Sequence, residues 1–352
     1  MEFYQGKSVF VTGHTGFKGS WLCSILLALG AQVHGYALPP EENSLFKLCG
    51  LSESMDSCLG DIRDESQLAA AFRQANPELV FHLAAQPLVQ QGYQSPALTY
   101  ETNVMGTVRL LDCVRQSSRV GSVVNVTTDK VYRNEEWVWG YRETDVLGGH
   151  DPYSNSKACS ELVTQCYQGS FFSESNVGIS TVRAGNVIGG GDFSPNRIVP
   201  DCIRAALAKK PVQLRNPYST RPYQHVLEPL FAYLLVAQRQ YQNPQVAGSY
   251  NVGPEKADCV SNAQLVQLFC ESWGEGMRWE AASNEAFFPE ARLLQLDCSK
   301  IQEAFGWQPH WNVRTAIDKT VEWAKAHRSG ADMLSLMQRQ IEEYNTGGGK
   351  NA

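Results

Sequence analysis

The stretch SVFVTGHTGFKG, Ser8 to Gly19, decides the fold. Its opening residues are apolar and β-branched, the pattern of a short buried strand. Gly13, Gly16 and Gly19 follow at G-x-x-G-x-x-G spacing, one residue different from the commoner G-x-G-x-x-G. Trp21, Leu22, Ile25, Leu26 and Leu29 then repeat at helical spacing, and Gly30 stops the run. A glycine loop between a first strand and a first helix lets the backbone approach a pyrophosphate, whose charge the helix N-terminus favours. Elsewhere the same glycines would only turn the chain; here they predict a dinucleotide site.

The rhythm continues outward from that loop. AQVHGYAL, DSCLGD, ELVFHLAA, SVVNVTT and GISTVRAG read as further strands. Between them DESQLAAAFRQA predicts a helix capped by Asp64. SPALTYETNVMGTVRLLDCVRQ predicts one beginning at Ser95, with Pro96 in its first turn. DPYSNSKACSELVTQCYQGSFF predicts another. Alternating strands and helices imply an α/β fold, a Rossmann-type doubly wound parallel sheet with helices on both faces. Past Arg183 the rhythm breaks. RIVPDCIRAALAKK and VLEPLFAYLLVAQRQY read as helices and GSYNVG as one more strand. Shorter elements follow, with a final amphipathic helix near Val313 to His327 and a frayed NTGGGKNA end. The expected division is a cofactor-binding domain over residues 1–184, with returning segments at about 223–253, and a smaller interwoven C-terminal substrate lobe, mainly 185–352.

Composition narrows the function classes. Thirty basic against 36 acidic residues give a net charge of −6, so there is no basic footprint for nucleic acid or an anionic membrane. The ten cysteines form no C-x-x-C pair, which favours buried reduced thiols over a metal site. No apolar run approaches the roughly 20 residues of a membrane span, and no signal sequence precedes the first strand. A cytoplasmic protein without a metal is the expectation.

Two constellations carry chemistry. Tyr153 and Lys157 in YSNSK lie four apart, on one face of a predicted helix. An unperturbed tyrosine, with a pKa of about 10, is a poor base near neutrality. A neighbouring ammonium and a positively charged cofactor would favour its phenolate. TTDKVY, Thr127 to Tyr132, sets an acid and a base side by side at the end of the fifth strand. His14 and Lys18 add bulk and charge to the glycine loop. The acid that usually ends the second strand and holds the ribose of NAD is replaced by Leu38-Pro39-Pro40, and no Arg stands in for it. The reading favours NAD over NADP, at modest affinity.

TGHTGFKG, the D-I-R at Asp61, HLAAQ, the NVMGT at Asn103 and YSNSK together resemble the extended short-chain dehydrogenase/reductase family over almost the whole chain. LGGHDPYSNSKACSE, AGNVIGGGDF and TRPYQHVLEPL are most similar to its nucleotide-sugar 4,6-dehydratases. The resemblance implies recycled NAD, a nucleotide-sugar substrate (CDP-glucose), a homodimer joined through two long helices, and a place in deoxysugar and O-antigen or lipopolysaccharide synthesis. It implies cofactor contacts from Gly13, Thr15, Gly16, Phe17, Lys18, Gly19, Asp61, Ile62, Leu83, Ala84, Ala85, Thr127, Tyr153 and Lys157. Asn186, Arg197, Arg221 and Arg292 become substrate candidates, the arginines suited to phosphate.

Thr128, Asp129, Lys130, Tyr153 and Lys157 become the catalytic set. Many relatives pair Asp with Glu where this chain has Asp129 and Lys130. Asp129 is the expected acid; Lys130 is a base, a positioning group or a surface residue. A sugar 4-epimerase shares the fold, Tyr and Lys, but needs no acid–base pair for elimination. A nucleotide-sensing protein without turnover would need neither.

Overall fold

The computed structural model describes residues 2–282 and 293–347. Its centre is a seven-stranded parallel sheet. The strands are β1 (Ser8–Thr12), β2 (Gln32–Ala37), β3 (Asp56–Leu59), β4 (Leu79–His82), β5 (Ser122–Val126), β6 (Gly178–Ala184) and, last, Ser249–Val252. In space the order runs β3-β2-β1-β4-β5-β6, with Ser249–Val252 outside β6. The order reverses between β1 and β4, and a crevice opens there at the carboxyl ends of the strands.

β1, β4, β5 and β6 are buried along their whole length, because helices cover both faces. Alternation divides the core between those faces. Val9 and Val11 of β1 pack with Trp21, Leu22 and Ile25 of helix α1 (Phe17–Ala28) and with Leu230 and Leu234 of helix Leu227–Gln242. Phe10, between them, packs on the other face with Leu68 and Phe72 of helix Glu65–Ala75 and Leu110 of helix Gly106–Arg115. Asp64 caps its helix by accepting from the Gln67 amide at 3.0 Å.

Two elements depart from the sequence reading. The helix beginning at Pro96 is not continuous: a π turn over Glu101–Met105 separates Pro96–Tyr100 from Gly106–Arg115. The extra residue lets buried Asn103 reach across, accepting from the Gln86 amide at 2.8 Å and donating to Ser156 Oγ at 2.8 Å. The helix Val313–Arg328 is also not the final one. The chain turns at Gly330 (φ +75°) into Met333–Asn345, capped by Asp332. That helix buries Met333, Leu336, Met337, Ile341 and Tyr344 and lies against α1. Of the expected frayed end, residues 348–352 lie outside the described residues.

The second lobe has its own core, where helices Ile198–Leu207, Asn262–Trp273 and Val313–Arg328 meet through Cys202, Leu265, Phe269 and Ile317. Glu228 ties it to the sheet layers. This buried carboxylate accepts from the amides of His310 (3.1 Å) and Trp311 (2.6 Å) and from the Tyr344 hydroxyl (2.7 Å). Burial pushes its pKa up to about 7 against those bonds. No helix among the described residues is long and apolar enough to cross a membrane.

Candidate active site

The three loop glycines are needed for different reasons. Gly13 has φ +77°, and a Cβ there would stand 2.7 Å from the Ala84 amide nitrogen. A Cβ on Gly19 would stand 2.1 Å from the Gly13 carbonyl oxygen. Both are demanded by the fold's own packing. Gly16 is not: its nearest neighbour would be 3.4 Å away, its φ is −78°, and it is exposed at the N-cap of α1. Nothing in the protein forbids a side chain at Gly16, so its bareness fits a group approaching from outside. Leu83, Ala84 and Ala85 leave β4 beside Gly13, with the Leu83 and Ala84 amides donating to Thr12 Oγ1 at 3.2 Å. Thr15 donates to the Leu38 carbonyl at 3.0 Å, closing the loop onto the end of β2. Phe17 packs into the main core. Ile62 is buried against Gly106, and Asp61 is held by Arg63 through contacts of 2.6 to 3.0 Å.

His14 does not face a ligand. It is fully buried, its Nε2 is 2.7 Å from Ser57 Oγ, and its ring meets Phe46 edge-on. Gly35 of β2 makes the room, since a Cβ there would overlap the imidazole at 2.4 Å. Burial lowers its pKa to about 4. His14 therefore adds no bulk to the open side of the glycine loop, which corrects that expectation. Lys18 points the other way, into the cleft, with Nζ 3.5 Å from Tyr233 Oη. Burial, then the cations Arg197 and Lys157, bring its pKa down to about 7.

That cleft, of about 940 Å³, lies over the carboxyl ends of β5 and β6 and under the second lobe. It is large enough for a drug-sized ligand. Thr127, Thr128, Asp129, Lys130, Tyr153, Asn186, Arg197 and Arg221 all line it. The end of β5 delivers Thr128 and Asp129 in a short 3₁₀ turn, where Thr128 Oγ1 donates to Asp129 Oδ1 at 3.0 Å. Asp129 Oδ2 is buried and has no hydrogen-bond partner among the described residues. A Cβ on Gly185 would crowd it at 3.3 Å. Burial raises the Asp129 pKa, and the pull of Lys130, Thr128, Arg221 and Lys18 does not overcome it. The carboxyl is thus prepared to carry a proton.

Helix Pro152–Phe171 supplies Tyr153 and Lys157, its N-terminus capped by Asp151. Lys157 is buried, donates to the Val126 carbonyl at 2.9 Å, and has a pKa lowered to about 8 by burial. The Tyr153 phenol is pushed up to about 12, also by burial, with a hydrogen bond to Thr128 and the charge of Arg197 working against it. The expectation that spacing with Lys157 brings the tyrosine down is therefore not met by the protein's own groups. The ammonium is turned to a backbone carbonyl, and low-polarity surroundings outweigh its field.

Thr127 turns its hydroxyl into the core, donating to Glu161, so only its backbone is left for a cofactor. Arg197 pairs with Asp192 at 3.1 Å, and buried Arg221 donates to the Thr220 carbonyl at 2.9 Å. The Asn186 carbonyl accepts from the Gln224 amide at 3.0 Å. Arg292 lies outside the described residues. The sequence reading missed Arg215, Asn216 and Asn262, which line the far end of the cleft. The one signal for Arg215 and Asn216 was the polar RNPYST run before Arg221, which reads equally well as a solvated loop; Asn262, at the start of helix Asn262–Trp273, had none.

Comparison with known proteins follows the same outline. The family profile described as GDP-mannose 4,6 dehydratase matches residues 10–320. The CDP-glucose 4,6-dehydratase of Salmonella typhimurium is 48% identical over 350 residues, covering 97% of each chain. The UDP-glucose 4-epimerase of Thermotoga maritima, solved with UDP-glucose, is similar in fold: TM-score 0.79 and 24% identity, over 91% of this chain and 99% of that one. The UDP-glucose 4-epimerase of Thermus thermophilus, solved with NAD, has a TM-score of 0.77 and 25% identity, over 90% of this chain and 98% of that one. With a profile matched along most of its length and a full-length relative at 48% identity, the chain belongs to the GDP-mannose 4,6 dehydratase family of extended short-chain dehydrogenases/reductases.

Proposed function

We propose that the protein is an NAD-dependent hydro-lyase that converts CDP-D-glucose to CDP-4-keto-6-deoxy-D-glucose. The observation that carries the reaction type is the buried Asp129 carboxyl, with a raised pKa and one oxygen unpartnered among the described residues, in the same cleft as Thr128 and Tyr153. Elimination needs an acid at that place; epimerisation at carbon 4 does not. The nucleotide and sugar follow from the 48%-identical relative. Residues 1–184 with the returning segment 223–253 hold the cofactor, and the remainder takes the nucleotide sugar.

The glycine loop at the start of α1 fits a dinucleotide, with the bare Gly16 where its pyrophosphate would come closest. NAD, when bound, supplies reversible hydride acceptance at carbon 4, hydride return at carbon 6, and a positive charge near Tyr153. Tyr153 takes the proton of the 4-hydroxyl, helped by the Thr128 hydrogen bond and the Lys157 ammonium. A ketone at carbon 4 acidifies the proton on carbon 5. Lys130, beside Asp129 on the cleft wall, removes it as the neutral amine. Asp129 gives its proton to the departing 6-hydroxyl, so water leaves with no net oxidation of the sugar. Arg221 and Arg197 face the diphosphate.

Gly16→Ala tests the cofactor site apart from the fold. It is expected to leave the melting temperature within about 2 °C, because the new Cβ meets only ordinary contacts, and to weaken NAD binding about tenfold by blocking backbone approach. Unchanged NAD affinity would remove the loop from that role.

Exposed Met105, Leu162 and Phe171 on the helices around Asn103 and Tyr153 support a homodimer through that face. All ten cysteines are free, which fits the reducing cytoplasm. The proposal as a whole is tested by incubating the protein and NAD with CDP-, dTDP-, UDP- and GDP-hexoses and identifying products. A 4-keto-6-deoxy sugar from CDP-glucose is expected; a carbon 4 epimer, or no turnover of CDP-glucose, rejects it.

A further inference from the structure

The core directly beneath the TTDKVY stretch holds a buried ion pair that the reaction does not use. Glu161 and Arg183 are both fully buried. Glu161 Oε2 accepts from Arg183 Nη2 at 2.9 Å and from the Thr181 hydroxyl at 2.6 Å, and Oε1 accepts from the Thr127 hydroxyl. Arg183 Nη1 donates to the Tyr132 hydroxyl at 2.8 Å. The two ends of the stretch, Thr127 and Tyr132, thus hang from one ion pair. Such pairs contribute little stability against apolar groups of the same volume, because desolvation offsets the attraction. A carboxylate in this place calls for another role.

Glu161 lies four residues after Lys157, on the same helical face. The titratable groups that act on or feel the Lys157 ammonium are Glu161 on its own helix, His82 on β4 and Lys18 on α1. Lys18, when protonated, opposes a second cation, and its own pKa is brought down to about 7. His82 is kept neutral by burial, its pKa brought down to about 3. Burial raises the Asp129 pKa, which weakens its hold on a neighbouring cation. The ammonium's own hydrogen bond goes to an uncharged carbonyl. Burial lowers the Lys157 pKa, and the charge of Glu161 is what resists that fall.

We propose that Glu161 is a positioning residue that keeps Lys157 in its ammonium form from the core side while, through Arg183, fixing the segment that carries Thr128 and Asp129. The proposal rests on the reading of Tyr153 and Lys157 given above.

The test is Glu161→Gln, with Glu161→Gln/Arg183→Met as the variant that leaves no buried unpaired charge. In wild type, the alkaline limb of CDP-glucose dehydration, set by loss of the Lys157 proton, should move down by roughly one pH unit in both variants. A ¹³C-lysine NMR titration should show the Lys157 midpoint moving by the same amount. A folded variant with an unshifted midpoint overturns the proposal, even if its melting temperature falls. If the midpoint shifts but wild type does not dehydrate CDP-glucose, Glu161 keeps this role and the functional reading falls instead.

Discussion

Replacing Tyr153 with phenylalanine should lower formation of the 4-keto-6-deoxy sugar about a thousandfold, within the range by which a positioned base accelerates proton transfer. The ring remains, so packing at the start of helix Pro152–Phe171 is kept, and NAD affinity should change less than about threefold. The protein's own groups hold this phenol near 12, chiefly through burial. Its use as a base therefore depends on positive charge arriving with the cofactor, reinforcing Lys157 and Arg197. The pH dependence follows in sign: activity should rise with pH up to the tyrosine pKa of the ternary complex. It should fall again as Lys157, already lowered to about 8, loses its proton. Steady-state rates across pH, with cofactor and sugar saturating, check both limbs. A Phe variant within tenfold of wild type would remove Tyr153 from the chemistry.

Asp129→Asn should separate the two halves of the reaction. Asparagine keeps the size and still accepts from Thr128, but its amide has no acidic proton to give. Product should fall at least about a hundredfold, while oxidation at carbon 4, which belongs to Tyr153, continues. Reduced cofactor should accumulate and be seen by its absorbance. The carboxyl's raised pKa gives a sign here too. The protonated form that serves as acid is lost as pH rises through that pKa, so elimination should weaken relative to oxidation in wild type as the medium becomes more alkaline. Loss of both half-reactions in the Asn variant would mean that Asp129 positions substrate instead of protonating it.

Much of this was legible in the sequence because periodicity records burial. A strand covered on both faces reads as a short, mostly apolar and β-branched run, as Ser8–Thr12 and Ser122–Val126 do. Asp64 and Pro96 marked helix starts through their local chemistry. The helix Met333–Asn345 was visible in principle, since Met333, Leu336, Met337, Ile341 and Tyr344 keep helical spacing, but no strong apolar run announces it. The π turn at Glu101–Met105 had no signal, because its cause is the reach of Asn103 to residues 86 and 156.

Side-chain direction was the least legible property of the site. His14 and Lys18 sit four apart in one glycine loop, yet one goes into the core under Gly35 and the other into the cleft. Thr127 and Thr128 are adjacent, and the extended backbone just past β5 sends one hydroxyl to Glu161 and the other to Asp129. Spacing also placed Tyr153 beside Lys157 correctly on one face, but could not weigh burial against charge. The degree of desolvation depends on the second lobe closing over the cleft, far away in the chain.

The central claim is that hydride leaves carbon 4, stays within one active site, and returns to carbon 6 after water is lost. CDP-glucose deuterated at carbon 4 tests it most directly, with the product's label located by NMR. The account predicts deuterium at carbon 6 of the 4-keto-6-deoxy product, retained in the presence of excess unlabelled cofactor. Deuterium lost to solvent or found in the added cofactor pool would contradict it.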